Sequence, residues 1–218
     1  VVPELQTCCG QPAYNSGDRA NAAALARRTI AAFAGLDYVV APSGSCAGML
    51  KAHYPQLLAD DADWAGKATA FAERVYELIS FLTDVRKIDR VQVAFAGRVT
   101  YHDSCSGLRE LGIKDQPRRL LATVQGLELT EMADSEVCCG FGGTFSIKYP
   151  DISNAMVGKK TGHVAKAEPD LLLAGDLGCL MNMAGKLRRE GSKIAVRHVA
   201  EVLAGELAAP PIGAPDNA

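Results

Sequence analysis

The sequence predicts an α/β fold built from two repeated halves with mostly parallel sheets, and three observations predict it. Short apolar runs alternate with longer segments of helical composition. Such runs end in small-residue turns carrying one cysteine. A Cys-Cys-Gly triplet stands ahead of a helical segment in both halves, at Cys8-Cys9-Gly10 and at Cys138-Cys139-Gly140. Strands alternating with helices argue for parallel pairing through crossover helices.

The elements follow in order. Gln6 to Pro12 is turn-rich, and Asp18 opens an Ala-rich helix that runs to about Phe33. Leu36 to Ala41 reads as a short buried strand, and Pro42-Ser43-Gly44-Ser45-Cys46 leads into a helix through Leu50 and Tyr54. Between residues 64 and 82, Phe71, Val75, Leu78, Ile79 and Leu82 fall at near-helical spacing, which predicts one long amphipathic connector. The boundary between halves is placed near residues 84 to 90, giving a first half of 1–84 and a second of 85–209. The second half opens with strand-like Val91–Phe95 and Arg98–Tyr101 and reaches His102-Asp103-Ser104-Cys105. A helix near 117–124, a strand near 127–131, the second Cys-Cys-Gly, a helix from about Asp151 to Lys166 and a strand at 169–174 follow, ending in Gly178-Cys179. Residues 210–218 read as a disordered tail.

The repeat is quantitative. Asp37 stands nine positions before Cys46 and Asp170 nine before Cys179, while 36 residues separate Cys9 from Cys46 and 39 separate Cys139 from Cys179. Cys105 precedes the second pair with 32 residues between. Its counterpart in the first half would lie ahead of Val1, so the complete protein is expected to extend upstream and to carry an eighth cysteine.

Composition narrows the function. The 218 residues are 48% hydrophobic, ample for a core, and a net charge of −2 gives no electrostatic reason to bind nucleic acid or anionic lipid. No run approaches the roughly 18 apolar residues of a membrane span, and Val1-Val2-Pro3-Glu4 does not resemble an export signal. A cytoplasmic protein is expected. Seven cysteines, an odd number with two directly adjacent pairs, fit a disulfide framework poorly.

Cys46, Cys105 and Cys179 stand at the carboxyl ends of expected strands, where doubly wound, Rossmann-like sheets collect functional groups. Clustered thiolates repel one another unless a cation neutralises them, and soft sulfur favours iron–sulfur clusters, zinc or cuprous copper. Structural zinc sites usually pair ligands two to four residues apart, and no C-x-x-C occurs here. Adjacent cysteines send their sulfurs in different directions, which suits different irons of one cluster; zinc remains the alternative. His102, Ser43 and Asp176 lie close to these cysteines and are candidates to surround the centre by hydrogen bonds, as is Asp103. His53, His163 and His198 read as structural. Gly140-Phe141-Gly142-Gly143 lacks the Gly-Lys-Ser/Thr of a phosphate loop, and no dinucleotide fingerprint opens the chain. No single cysteine is marked out with a histidine partner as a hydrolytic nucleophile.

Two repeats of Cys, thirty-odd residues, Cys-Cys-Gly, thirty-odd residues, Cys resemble the cysteine-rich CCG-domain family, which includes the cluster-bearing subunit of heterodisulfide reductase. The resemblance rests on Gln6–Gly17, Ala41–Cys46, Val99–Leu111, Cys138–Lys148 and Gly175–Cys179. It is nearest to the short lactate-utilisation members, which have two CCG repeats and no ferredoxin-like segment. It implies an iron–sulfur electron-transfer subunit of a complex that oxidises L-lactate to pyruvate with two other subunits, an oxidoreductase component without a complete active site of its own. By the same resemblance Cys8, Cys9 and Cys46 would ligate one centre, and Cys105, Cys138, Cys139 and Cys179 the other. One or two clusters of the 4Fe-4S kind are implied, with zinc as an alternative occupant of one site. Where the fullest family pattern ends in C-x-x-C, this chain has Ser43-Gly44-Ser45-Cys46 and Asp176-Leu177-Gly178-Cys179, so each site offers at most four cysteines. Two other readings stay open: a zinc-stabilised scaffold subunit, and a thiol/disulfide oxidoreductase of the heterodisulfide reductase type.

Overall fold

A computed structural model of the chain describes residues 1–214. The first half contains α1 (Gln11–Asn15), α2 (Arg19–Ala32), β1 (Val39–Ala41), α3 (Gly44–Gly48), a π-helical turn at Met49–His53, α4 (Tyr54–Leu57), α5 (Ala65–Glu73), β2 (Val75–Glu77) and α6 (Leu78–Ser80), which runs into a second π-helical turn at Phe81–Val85. The second half contains β3 (Ala94–His102), α7 (Cys105–Arg109), α8 (Asp115–Leu121), β4 (Gln125–Leu129), α9 (Phe145–Lys148), α10 (Pro150–Lys166), β5 (Leu171–Ala174), α11 (Leu177–Arg189), β6 (Ala195–His198) and α12 (Val199–Ala204).

The architecture is α/β, as expected. β1 and β2 form a two-stranded parallel sheet, and β4-β3-β5-β6 a four-stranded sheet that is parallel throughout. β5 shows why the apolar runs are continuous: all four of its residues are buried, Leu172 and Ala174 in one core cluster, Leu171 and Leu173 in another. Period-two alternation sends its side chains to opposite faces, and helices cover both. The third cluster, with Tyr54, Phe71, Met49 and Val75, belongs to the first half.

The expected connector over residues 64–82 is not one helix. It breaks at Arg74, and Val75–Glu77 pairs in register with Val39–Ala41. Val75 is buried at the same spacing that a helix face would require, so periodicity alone could not separate the two states; pairing with β1 decides it. The two runs expected at 91–95 and 98–101 are one nine-residue strand, β3. β6 and α12 carry the second half beyond the elements expected from its sequence. Of the expected disordered tail, 215–218 lie outside the described residues. Within 210–214 the Ile212 N–H donates to the Val196 carbonyl at 2.9 Å, and its apolar side chain packs against the core cluster that holds Val196, which fixes this stretch in place. Among the described residues no helix is long and apolar enough to cross a membrane.

Candidate metal centre

The two Cys-Cys-Gly loops have the same local geometry. Gly10 and Gly140 both take φ of +84°, the left-handed region open to glycine. That turn brings the Gly10 N–H to 3.4 Å from Cys8 Sγ and the Gly140 N–H to 3.3 Å from Cys138 Sγ. Glycine is required at 140 for a second reason: a Cβ there would meet the Ser153 carbonyl oxygen at 2.8 Å and Met156 Cβ at 2.9 Å.

The remaining cysteines enter from strand ends. Ser43, Ser104 and Asp176 are the N-cap residues of α3, α7 and α11, so Cys46, Cys105 and Cys179 all sit in a first helical turn just after a strand. The structure gathers the seven cysteines into two sets. Cys9 Sγ and Cys46 Sγ are 3.5 Å apart, with the exposed Cys8 beside them, at a largely apolar cavity of about 470 Å³. Cys105, Cys138, Cys139 and Cys179 form the other set, at a cavity of about 200 Å³ that Gln11, Ser45 and His53 of the first half help to line.

The sulfurs perturb one another's ionisation. Contact with the Cys105 and Cys139 thiols pushes Cys138 toward the thiolate; Cys105 is pushed up by its contact with Cys138 and then by burial, and Cys139 by its contacts with Cys138 and Cys179 and then by burial. In the first set the Cys9–Cys46 contact holds Cys46 down and Cys9 up. Sulfurs this close cannot all ionise without a cation. None of the seven is in a disulfide. The chemistry of both sets therefore fits a soft metal or an iron–sulfur cluster.

The neighbours expected from sequence divide. His102 is fully buried, and a ring nitrogen of it and the Cys139 and Cys179 sulfurs all lie within 4.8 Å of one another. Burial first, and then the Lys160 charge, lower its pKa to about 4, so the ring is neutral at physiological pH. Asp103 turns the other way, into a bidentate pair with Arg118 at 2.8 Å per bond, and Arg118 also pairs with Glu131. Asp176 lies between the two sets. Its Oδ2 accepts from Ser45 N–H at 2.7 Å and Ser43 Oγ at 2.9 Å, and its Oδ1 accepts from Cys179 N–H at 3.2 Å. One carboxylate thus ties the cysteine-bearing turn of each half to the other.

Lys160 is a neighbour that sequence reasoning missed. It is 3% exposed and among the described residues bonds only to the backbone carbonyls of Asp134 and Ser135, anchoring the loop that leads to Cys138. Within the sequence of α10 it resembles any solvated lysine, and nothing in its spacing singles it out. His53, expected to be structural, pairs with Glu110 across the halves at 3.3 Å.

Known proteins resemble this chain over both cysteine sets. The model of the cysteine-rich domain family, CCG, matches residues 1–51 and 99–184, which takes in both cysteine sets. "Lactate utilization protein A" of Geobacillus kaustophilus (strain HTA426) is 51% identical over 201 residues, which are 92% of this chain and 84% of that protein. The protein of the same name from Oceanobacillus iheyensis is 49% identical, with 92% of this chain and 82% of that one covered. "Lactate utilization protein A 2" of Bacillus cereus (strain AH820) is 46% identical over 93% of this chain and 84% of its own.

Proposed function

The chain belongs to the cysteine-rich CCG-domain family and groups with its lactate utilization protein A members, and from that premise we propose that it is the iron–sulfur electron-transfer subunit of a lactate-oxidising system. The observation that carries the reading is the convergence of four cysteines, from two strand–helix junctions and one Cys-Cys-Gly loop, on a single cavity. Cys105, Cys138, Cys139 and Cys179 would hold one centre; Cys8, Cys9 and Cys46 would contribute to another. Oxidation of L-lactate to pyruvate releases two electrons and two protons, and a bound iron–sulfur group supplies one-electron uptake and release.

The chain's own residues do the rest. The Gly10 and Gly140 N–H groups are directed at Cys8 and Cys138 sulfur, where hydrogen bonds offset thiolate charge and favour the reduced state. Buried Lys160 adds positive charge behind the second set, and Phe141 and Gly142 border its cavity. Electrons would come from lactate chemistry on two partner subunits.

Anaerobic purification followed by iron, zinc and acid-labile sulfide analysis tests the reading. Brown protein with iron and sulfide in matched amounts, bleached by dithionite and by L-lactate when both partners are added, is the expected result. Colourless, zinc-bearing protein without sulfide would sink it.

A further inference from the structure

His102 ends β3, three residues before Cys105, and its two ring nitrogens meet very different surroundings. Nδ1 lies 3.1 Å from the Ser135 carbonyl oxygen. A carbonyl only accepts, so Nδ1 carries the ring proton and Nε2 carries a lone pair. That Nε2 is buried and has no hydrogen-bond partner among the described residues. A ring nitrogen of His102 lies within 4.8 Å of the Cys139 and Cys179 sulfurs, and with Nδ1 engaged at Ser135, Nε2 is the one left to meet them. A buried acceptor left without a partner is costly, and this one belongs to a ring that adjoins the thiols of the second set.

The proton is fixed on Nδ1 by more than one bond. The Ser135 carbonyl also accepts from the Asp103 N–H at 3.1 Å and from Lys160 Nζ at 3.3 Å. Three donors from β3, the strand-end turn and α10 hold that oxygen in place, and it in turn holds the imidazole. Metal-bound histidines are oriented in this way, by a carbonyl or carboxylate on the nitrogen remote from the metal.

We infer that His102 is a nitrogen ligand of the second centre, binding through Nε2 alongside the Cys139 and Cys179 sulfurs. The inference rests on the metal-centre reading above and adds a donor to it. A neutral imidazole at this position brings no negative charge to the centre, where a further thiolate would, and so leaves its reduction potential higher than a cysteine there would.

The test uses the full chain, produced anaerobically with 15N confined to histidine, and pulsed electron paramagnetic resonance of the dithionite-reduced protein. The expected result is a directly coupled 15N signal that disappears in H102N and H102C. H102N keeps an amide donor for Ser135 and should lose metal affinity about tenfold or more. H102C should keep its metal at a lower midpoint potential, a rescue that a merely structural histidine would not allow. Iron-loaded wild type without a coupled histidine nitrogen overturns the inference and leaves the electron-transfer reading standing, whether or not the variants fold. If zinc occupies the site the electron-transfer reading falls, and X-ray absorption at the zinc edge decides: a nitrogen neighbour lost in H102C supports the ligand, an all-sulfur shell overturns it. Protein that takes up neither metal overturns both.

Discussion

At the scale of single residues, what builds the site is backbone held in unusual places. Gly140 combines φ of +84° with a position where a Cβ would stand 2.8 Å from a backbone oxygen, whereas Gly17, at +82°, faces open space. G140A should therefore cost more than G17A. The glycine control loses about 1 kcal/mol for its backbone alone, and G140A adds displacement of α10, for a total of about 2–4 kcal/mol. Urea unfolding of both variants checks this; equal losses would mean that α10 yields freely. Asp176 gives a second prediction. D176A strands the Ser45 and Cys179 N–H groups and the Ser43 hydroxyl, at about 1–3 kcal/mol, and D176N, which keeps one acceptor oxygen, should lose less. A D176A protein as stable as wild type would show that the bridge carries no energy. The cysteines are legible in the sequence because they repeat at fixed offsets. Lys160 and the Asp103–Arg118 pair are not, because their partners are remote backbone carbonyls or side chains that only the folded chain brings near.

At the scale of elements, burial on two faces separates β5 from the helices that pack on it. Leu172 is fully buried, while Leu177, at the start of α11, is 43% exposed. L172A should destabilise by about 2–5 kcal/mol and L177A by under about 0.5 kcal/mol, read from shifts in the urea midpoint at constant slope. Similar shifts in the two variants would contradict the assignment of β5 as the strand covered on both sides. This strand is readable in advance because Leu171-Leu172-Leu173-Ala174 is an unbroken apolar run. β2 is hidden by the opposite circumstance. Three residues between two helical stretches, with Val75 at a helical spacing, leave no sequence mark, and the strand exists only because β1 offers it a partner. Its helix cap is equally hidden: Glu77 accepts from the Ile79 and Ser80 N–H groups at 2.8 and 3.0 Å, a role usually taken by Ser, Thr, Asp or Asn.

At the scale of the molecule, the repeat becomes an approximate exchange of parts between halves. Pro42 and Gly175 stand four residues before Cys46 and Cys179, and each lies beside a residue that caps a helix of the opposite half. His198, capping α12, sets its Nε2 2.7 Å from the Pro42 carbonyl. Glu77, capping α6, has an oxygen 3.4 Å from where a Cβ on Gly175 would lie. Between them the Gly44 N–H donates to the Gly175 carbonyl at 2.9 Å. The two caps respond to pH in opposite senses. Burial raises Glu77 from 4.5 to about 7, with Asp84 adding to the rise. The native state then binds a proton that the unfolded chain has already lost, so this stability is complete below about pH 4.5 and is lost as pH rises through about 7. Burial lowers His198 from 6.5, against the pull of its Pro42 hydrogen bond and of Glu201 and Asp176. Its stability is present above pH 6.5 and is lost as pH falls through the lower native value. Unfolding free energy followed from pH 4 to 9 should therefore respond differently to two neutral substitutions. E77Q keeps an acceptor for the α6 N–H groups and should gain on wild type as pH rises, by a difference on the order of 3 kcal/mol at the alkaline end. H198Q keeps a donor for Pro42 and should gain on wild type as pH falls below 6.5. Difference curves that stay flat in both variants would mean that Glu77 and His198 bind protons alike in the folded and unfolded chain, so that folding shifts neither.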